Sequence, residues 1–234
     1  MEGVQLEQGI RVQASYQMSI KARNLVGVDP DNCSHQGRQI YQINTSSIAS
    51  HTTFKMPQLV NWNDEIKFDV PDAKFKKPSS ISEVQTTIKD ANAKNAKVKV
   101  IGAMHSITPC FVGSDIVLSN EKMNKILSID KTNLTVTVQA GVSLHQLCGY
   151  LKPLGYQPPV VLEWGNFHFG AVSGTHANDS SLSDGAQVSS FVVGVKLVKS
   201  TGELLEISEK QNTQYLSAIR SHFGLFGVVC EVTL

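Results

Sequence analysis

Most patterns that identify a chemistry on sight are absent from these 234 residues. The cysteines, Cys33, Cys110, Cys148 and Cys230, are widely spaced and form no C-x-x-C pair, which excludes a zinc ribbon or a thioredoxin-type redox motif. Charge of one sign is also missing. The formal net charge is +1, so the chain carries no electrostatic footprint for nucleic acid or an anionic membrane. Lys74, Lys76 and Lys77 cluster ahead of Pro78, as in a solvated linker. The first thirty residues hold no apolar run suited to export, and no run approaches a membrane span. Free thiols in a reducing compartment, and the cytoplasm as default location, are the corresponding expectations. The sequons at Asn32, Asn44, Asn133 and Asn178 then read as chance.

Nucleotide and hydrolase signatures are absent as well. There is no G-x-G-x-x-G, no G-x-x-x-x-G-K-[ST] and no G-x-S-x-G, and the seven histidines show no metal-ligand spacing, so no metal is expected.

What is present is regular punctuation from Asp69 onward. Residues 1–60 are rich in Gln, Ser and Asn, and alternation at Val12, Ala14, Tyr16, Met18 and Ile20 predicts one half-buried strand in an extension of unassigned role. Ser80 and Glu83 form an S-x-x-E capping box ahead of Ile81, Val84, Ile88 and Ala91 at helical spacing. Strands follow at 98–101 and 116–118, then a hairpin of 126–129 and 134–138 about the turn Asp130–Asn133. Ser143 and Gln146 cap a helix that stops near Gly155. Beyond residue 186 the order is strand 191–198, a turn at Thr201-Gly202, strand 204–207, a helix over about 211–221, and a strand from Val228. Few helices and hairpin-length turns predict an α+β fold rather than a doubly wound parallel sheet.

Two segments carry the chemistry. Ile101-Gly102-Ala103-Met104-His105-Ser106 follows a strand, and its small residues let backbone N–H groups approach an anion such as a diphosphate. By pattern alone His105 reads as a hydrogen-bonded loop histidine. The second segment, 169–178, crowds Gly170, Ala171, Ser173 and Gly174 together and adds Thr175, His176 and Asn178. It follows an apolar stretch containing Trp164, Phe167 and Phe169, which argues against a solvated surface loop. Together the segments suggest an unconventional dinucleotide site.

Six motifs in order make the reading specific. They are Pro78-x-Ser80-x-x-Glu83-Val84, Val98-x-Val100-Ile101-Gly102-x-x-His105-Ser106, Met123-Asn124-Lys125-Ile126, the run from Thr135 to Gly141-Val142, Ser173-Gly174-Thr175-His176, and His222-x-Gly224-x-x-Gly227-Val228. From about Trp62 to Leu234 the chain resembles the FAD-binding domain of the vanillyl-alcohol-oxidase superfamily, also named after p-cresol methylhydroxylase (PCMH-type). It is most similar there to the aldonolactone oxidases. The resemblance implies an extension over 1–60 and an FAD domain over 61–234, with α+β subdomains of roughly 61–130 and 131–234.

The resemblance also implies roles. Residues 101–106 would hold the FAD diphosphate, and His105 would bond covalently to the flavin 8α-methyl. Gly170 to His176 would continue the FAD site, with Gly227 and Val228 near the adenine end. A single attachment is expected, because no cysteine lies between Val160 and Gly185. Ala103-Met104 replaces two glycines common in relatives, and the second loop is about two residues shorter than in lactone oxidases. The implied activity is oxidation of a CH–OH group of a sugar lactone or polyol, with hydride passing to flavin N5 and oxygen as acceptor. A substrate domain would follow Leu234. His168 and His176 are open to either an acid–base or a structural hydrogen-bonding role, and neither is nominated as the base. The alternatives are an FAD-binding module without turnover of its own and, resting on residues 1–60 alone, a carbohydrate-binding or adhesive protein.

Overall fold

The computed structural model describes residues 58–179 and 185–234. The strand predicted at Val12–Ile20, and nearly all of the 1–60 extension, lie outside the described residues. The description begins with a small antiparallel pair, β1 (Gln58–Val60) and β2 (Lys67–Asp69).

Three strands then form a parallel sheet: β3 (Phe75–Lys76), β4 (Val98–Ile101) and β5 (Ile116–Ser119), in the order β3-β5-β4. Helix α1 (Ile81–Ala93) makes the crossover from β3 to β4. Its capping box closes in a shifted form. Ser80 Oγ accepts from Glu83 N–H at 3.2 Å, but the Glu83 carboxylate accepts from the N–H and hydroxyl of Ser79, not from Ser80. Those bonds hold the exposed Glu83 carboxyl below its usual pKa, the Ser79 N–H contributing most. Val84, Ile88 and Ala91 form the buried face of the helix.

The remaining strands build a five-stranded antiparallel sheet. They are β6 (Ile126–Asp130), β7 (Thr135–Gln139), β8 (Gly194–Val198), β9 (Leu204–Ser208) and β10 (Val228–Thr233), in the order β6-β7-β10-β8-β9. The predicted hairpin is present, its turn held by the Asp130 carboxylate accepting from Thr132 N–H, Asn133 N–H and the Asn133 amide. The change from one sheet to the other falls between Ser119 and Ile126, so a division at 130 separates β6 from its partner β7. Helix α2 (Leu144–Leu151) is capped by Ser143, whose hydroxyl accepts from Gln146 N–H. A 3-10 turn (Lys152–Leu154) ends it at Gly155 in the left-handed conformation. The short helix α3 (Phe169–Val172) buries Phe169 and Val172 against the sheet.

Two expectations change at their edges. The helix expected over 211–221 is a 3-10 turn (Thr213–Tyr215) followed by one α turn, α4 (Leu216–Ile219). Asn212 is left-handed at φ 55°, and the Thr213 hydroxyl bonds the Ser208 and Glu209 carbonyls, so the chain spends these residues turning. The strand expected from 191 starts at Gly194, because Val188–Phe191 forms a 3-10 turn.

A core cluster of Val84, Ile88, Leu118, Met123, Val198, Val228 and Cys230 joins α1 and the parallel sheet to the antiparallel one. The seam is tight. Gly141 N–H donates to the Met123 carbonyl, and a Cβ on Gly141 would lie 2.0 Å from the Asn120 carbonyl oxygen. The buried Asn120 side chain donates across the seam to the Val229 carbonyl. Cys110, Cys148 and Cys230 are unpaired thiols. No helix among the described residues is long and apolar enough to cross a membrane.

Candidate functional site

Segment 101–106 leaves the end of β4 with Ile101 buried and paired to Ser119. Gly102 and Ala103 bend the chain, and Met104 takes a left-handed φ of 59°. Glycine adopts that backbone most readily; the Met104 side chain is held in it by packing on the core cluster of Leu59, Val70, Ile101, Phe111 and Val117. The β1–β2 turn supports the loop from outside. Trp62 N–H donates to the Met104 carbonyl, and the buried Asn61 amide donates to the Ser106 carbonyl, both at 3.1 Å. The Ser106 hydroxyl is engaged with Thr108.

The fold brings segment 164–176 against this loop. A Cβ on Gly102 would lie 3.3 Å from Ala171 Cβ and 3.7 Å from His168 Cβ. The His105 ring sits 4.3 Å from Phe167, 5.9 Å from Trp164 and 6.4 Å from Trp62, centroid to centroid. Its Nε2 is 2.8 Å from Asn166 Oδ1. Burial pulls the His105 pKa below the ordinary histidine value, and the Asn166 bond opposes this in part. Burial thus favours the neutral form of the His105 imidazole.

A third segment closes the far side. Phe223 N–H donates to the Gly174 carbonyl at 2.9 Å. A Cβ on Gly174 would fall 2.0 Å from the His222 ring, so glycine is required for the imidazole to lie where it does. His176 meets Ser221 through Nε2 at 3.4 Å and packs edge-on against Phe223. Gly227 has φ 140°, and a Cβ there would fall 2.2 Å from the Val198 carbonyl oxygen.

The sequence-derived residues thus divide. Gly102, Ala103, His105, Ser173, Gly174, Thr175 and His176 lie in converging loops. Ile101 and Val228 have their side chains in the core, and Gly170 packs on Ala140 just past the end of β7, its N–H donating to the Ala140 carbonyl at 2.7 Å. Asn61 and Asn166 carry no signal in the sequence, because a lone Asn distant along the chain has no local pattern; Trp62 marks only where the resemblance begins, and His222 only opens a motif, with no role attached to either.

Buried polar atoms test what the site would accept. Of four with no hydrogen-bond partner among the described residues, three lie in or against segment 168–176: His168 Nδ1, Ser173 Oγ and His222 Nε2. His222 Nδ1 accepts from Gly224 N–H at 2.8 Å, so the neutral ring carries its proton on Nε2 as an unused donor. Burial lowers the pKa of His168 and of His222, the main cause in each. Leaving such groups unpaired costs about 1–3 kcal/mol each. Unused polar groups beside small-residue backbone suit a ligand with phosphate and hydroxyl groups, and the ring cluster at His105 suits a flat aromatic end. A separate hollow of about 580 Å³, lined by Leu134, Tyr156, Phe191 and Leu234 among others, includes none of these residues.

Comparison with known proteins points the same way. The family model described as an FAD binding domain matches residues 73–208. L-gulonolactone oxidase of Mus musculus is 30% identical over 181 residues, covering 77% of this chain and 40% of that protein. D-arabinono-1,4-lactone oxidase of Candida glabrata is 30% identical over 161 residues, covering 67% of this chain and 30% of that protein. This chain therefore spans well under half the length of these relatives. Among solved structures, 6-hydroxy-D-nicotine oxidase of Arthrobacter nicotinovorans shares the fold with a TM-score of 0.63 at 22% identity, over 68% of this chain and 35% of that one. The converging loops and the matched model together place the chain in the FAD-binding domain family of the vanillyl-alcohol-oxidase (PCMH) type, with aldonolactone oxidases among its relatives.

Proposed function

We propose that this chain is the FAD-binding part of an oxidoreductase acting on a CH–OH group of a sugar lactone, with His105 as covalent anchor for the flavin and dioxygen as acceptor. The observation that carries the reading is that segment 164–176 packs on the His105 loop at one end and on the 221–227 turn at the other, with unused buried polar atoms at His168, Ser173 and His222 along it. The names of the lactone-oxidase relatives support the substrate class. Residues 61–234 would form the cofactor domain, in two parts, with residues 1–60 as an extension to it.

Each segment has a task under this reading. Backbone N–H groups of Gly102 to Ser106 would hold the diphosphate, and the Ser173 hydroxyl, Thr175 and the His222 Nε2–H would offer donors to the rest of the cofactor. Gly170 and Gly227 act by keeping backbone close, and Ile101 and Val228 by fixing the strands from which the loops spring. Bound FAD would supply the hydride acceptor for oxidation at the alcohol carbon. Trp62, Trp164 and Phe167 shield the His105 side from water.

Acid precipitation tests the anchor. Yellow colour is expected in the pellet, and its loss in His105→Ala with FAD still bound non-covalently. Flavin wholly in the supernatant overturns the covalent bond, and failure to bind FAD on reconstitution overturns the reading. Anaerobic bleaching by an aldonolactone separates turnover from cofactor binding alone.

A further inference from the structure

The contact between His105 and Asn166 has a direction. Asn166 Oδ1 accepts only, so at 2.8 Å the imidazole Nε2 must be the donor. A neutral imidazole with its proton on Nε2 has its free lone pair on Nδ1, and no hydrogen bond engages Nδ1 among the described residues. The two residues are 61 positions apart, so only the approach of the two loops creates this pair. The ring is fixed in plane as well, by Phe167 at 4.3 Å and by the two tryptophans.

We propose that Asn166 is a positioning residue for flavin attachment, holding His105 in the Nε2–H tautomer so that Nδ1 is the attacking nitrogen. This rests on the covalent reading above. In the step, one C–H bond of the flavin 8α-methyl breaks with release of a proton, and an Nδ1–C bond forms. The Nε2 proton leaves once Nδ1 is alkylated. The two electrons left on the flavin ring are taken, with two protons, by dioxygen, giving hydrogen peroxide. The depressed pKa of His105 agrees, since a protonated ring has no lone pair to offer. An amide also fits the product: once Nε2 has lost its proton it becomes an acceptor, and Asn166 can turn its NH2 toward it. A carboxylate could not make that exchange.

Asn166 is exposed, so its replacement leaves the core untouched. In the full chain, Asn166→Ala is expected to bind FAD but to form the covalent bond roughly ten- to hundredfold more slowly, the scale of losing an orienting partner. NMR of the isolated flavin peptide should show only the Nδ1 isomer in the parent and a mixture of Nδ1 and Nε2 isomers in Asn166→Ala. Asn166→Asp, which keeps an acceptor, should restore the single isomer at alkaline pH. An Nε2 linkage in the parent, or an unchanged rate and isomer in Asn166→Ala, overturns the role of Asn166 while leaving the covalent anchor standing. Flavin fully released from the parent by acid overturns the anchor and this role together.

Discussion

Position 174 shows how much a single residue decides here. A methyl on Gly174 would meet the His222 ring, which has only 3% of its surface exposed and no room to retreat. Gly174→Ala should therefore cost about 1–3 kcal/mol, the usual range for overpacking, and weaken FAD binding by moving Ser173 and Thr175. Urea midpoints and a flavin titration would read both effects; a neutral result on both would mean that His222 moves freely. The histidines themselves predict a pH dependence. Burial lowers the pKa of His105, His168 and His222 in the folded chain. Below the ordinary value of about 6.5 the unfolded chain takes up protons that the folded chain refuses. Stability is therefore full above that pH and is lost as pH falls toward the folded values. The decline in urea midpoint on acidification should be shallower in His222→Gln, and an equal slope would count against its buried neutral state. Trp62 and Trp164 flank His105. FAD binding should quench their fluorescence, and binding without quenching would place the flavin elsewhere.

At the scale of elements, capping was the most legible signal. Ser80 and Ser143 begin their helices as their spacing with Glu83 and Gln146 predicts, because an N-cap bond is decided by residues three apart. Ser80→Ala should cost about 1 kcal/mol in chemical denaturation. A change near zero would mean that the Ser79–Glu83 bonds carry the cap alone. Where local order was misjudged, a competing bond explains it. The Asn212–Thr213 turn spends the residues expected to be helical, and nothing in their spacing betrays the left-handed φ at Asn212. The loop at 101–106 was legible as a bend after a strand, but the support it takes from Asn61 and Trp62 was not. Those bonds cross from a separate hairpin.

The whole molecule depends on the seam between its two sheets. Leu118 and Met123 from one side share a core with Val198, Val228 and Cys230 from the other. Burial pushes the Cys230 thiol up to about 12, so it should resist thiol reagents until the chain unfolds, while exposed Cys110 reacts at once. Rapid labelling of Cys230 in the native protein would mean that the seam opens. Gly141→Ala, whose methyl would meet backbone at Asn120, should destabilise both sheets together, with circular dichroism and tryptophan fluorescence lost in one transition. Two separate transitions would show that the halves fold apart.

The sequence by itself determined what depends on neighbours along the chain: the capped helices, the Asp130–Asn133 hairpin turn, the strand-then-small-residue bend before His105, and the ordered motifs that mark the FAD-binding family. The tertiary structure alone decided which atoms of those segments meet. Asn166 reaches His105, and His222 lies on Gly174, because the loop after β4 packs on α3 and the turn before β10 packs on the residues that follow α3. Strand order and loop approach are set by packing between distant residues, and no local spacing records them.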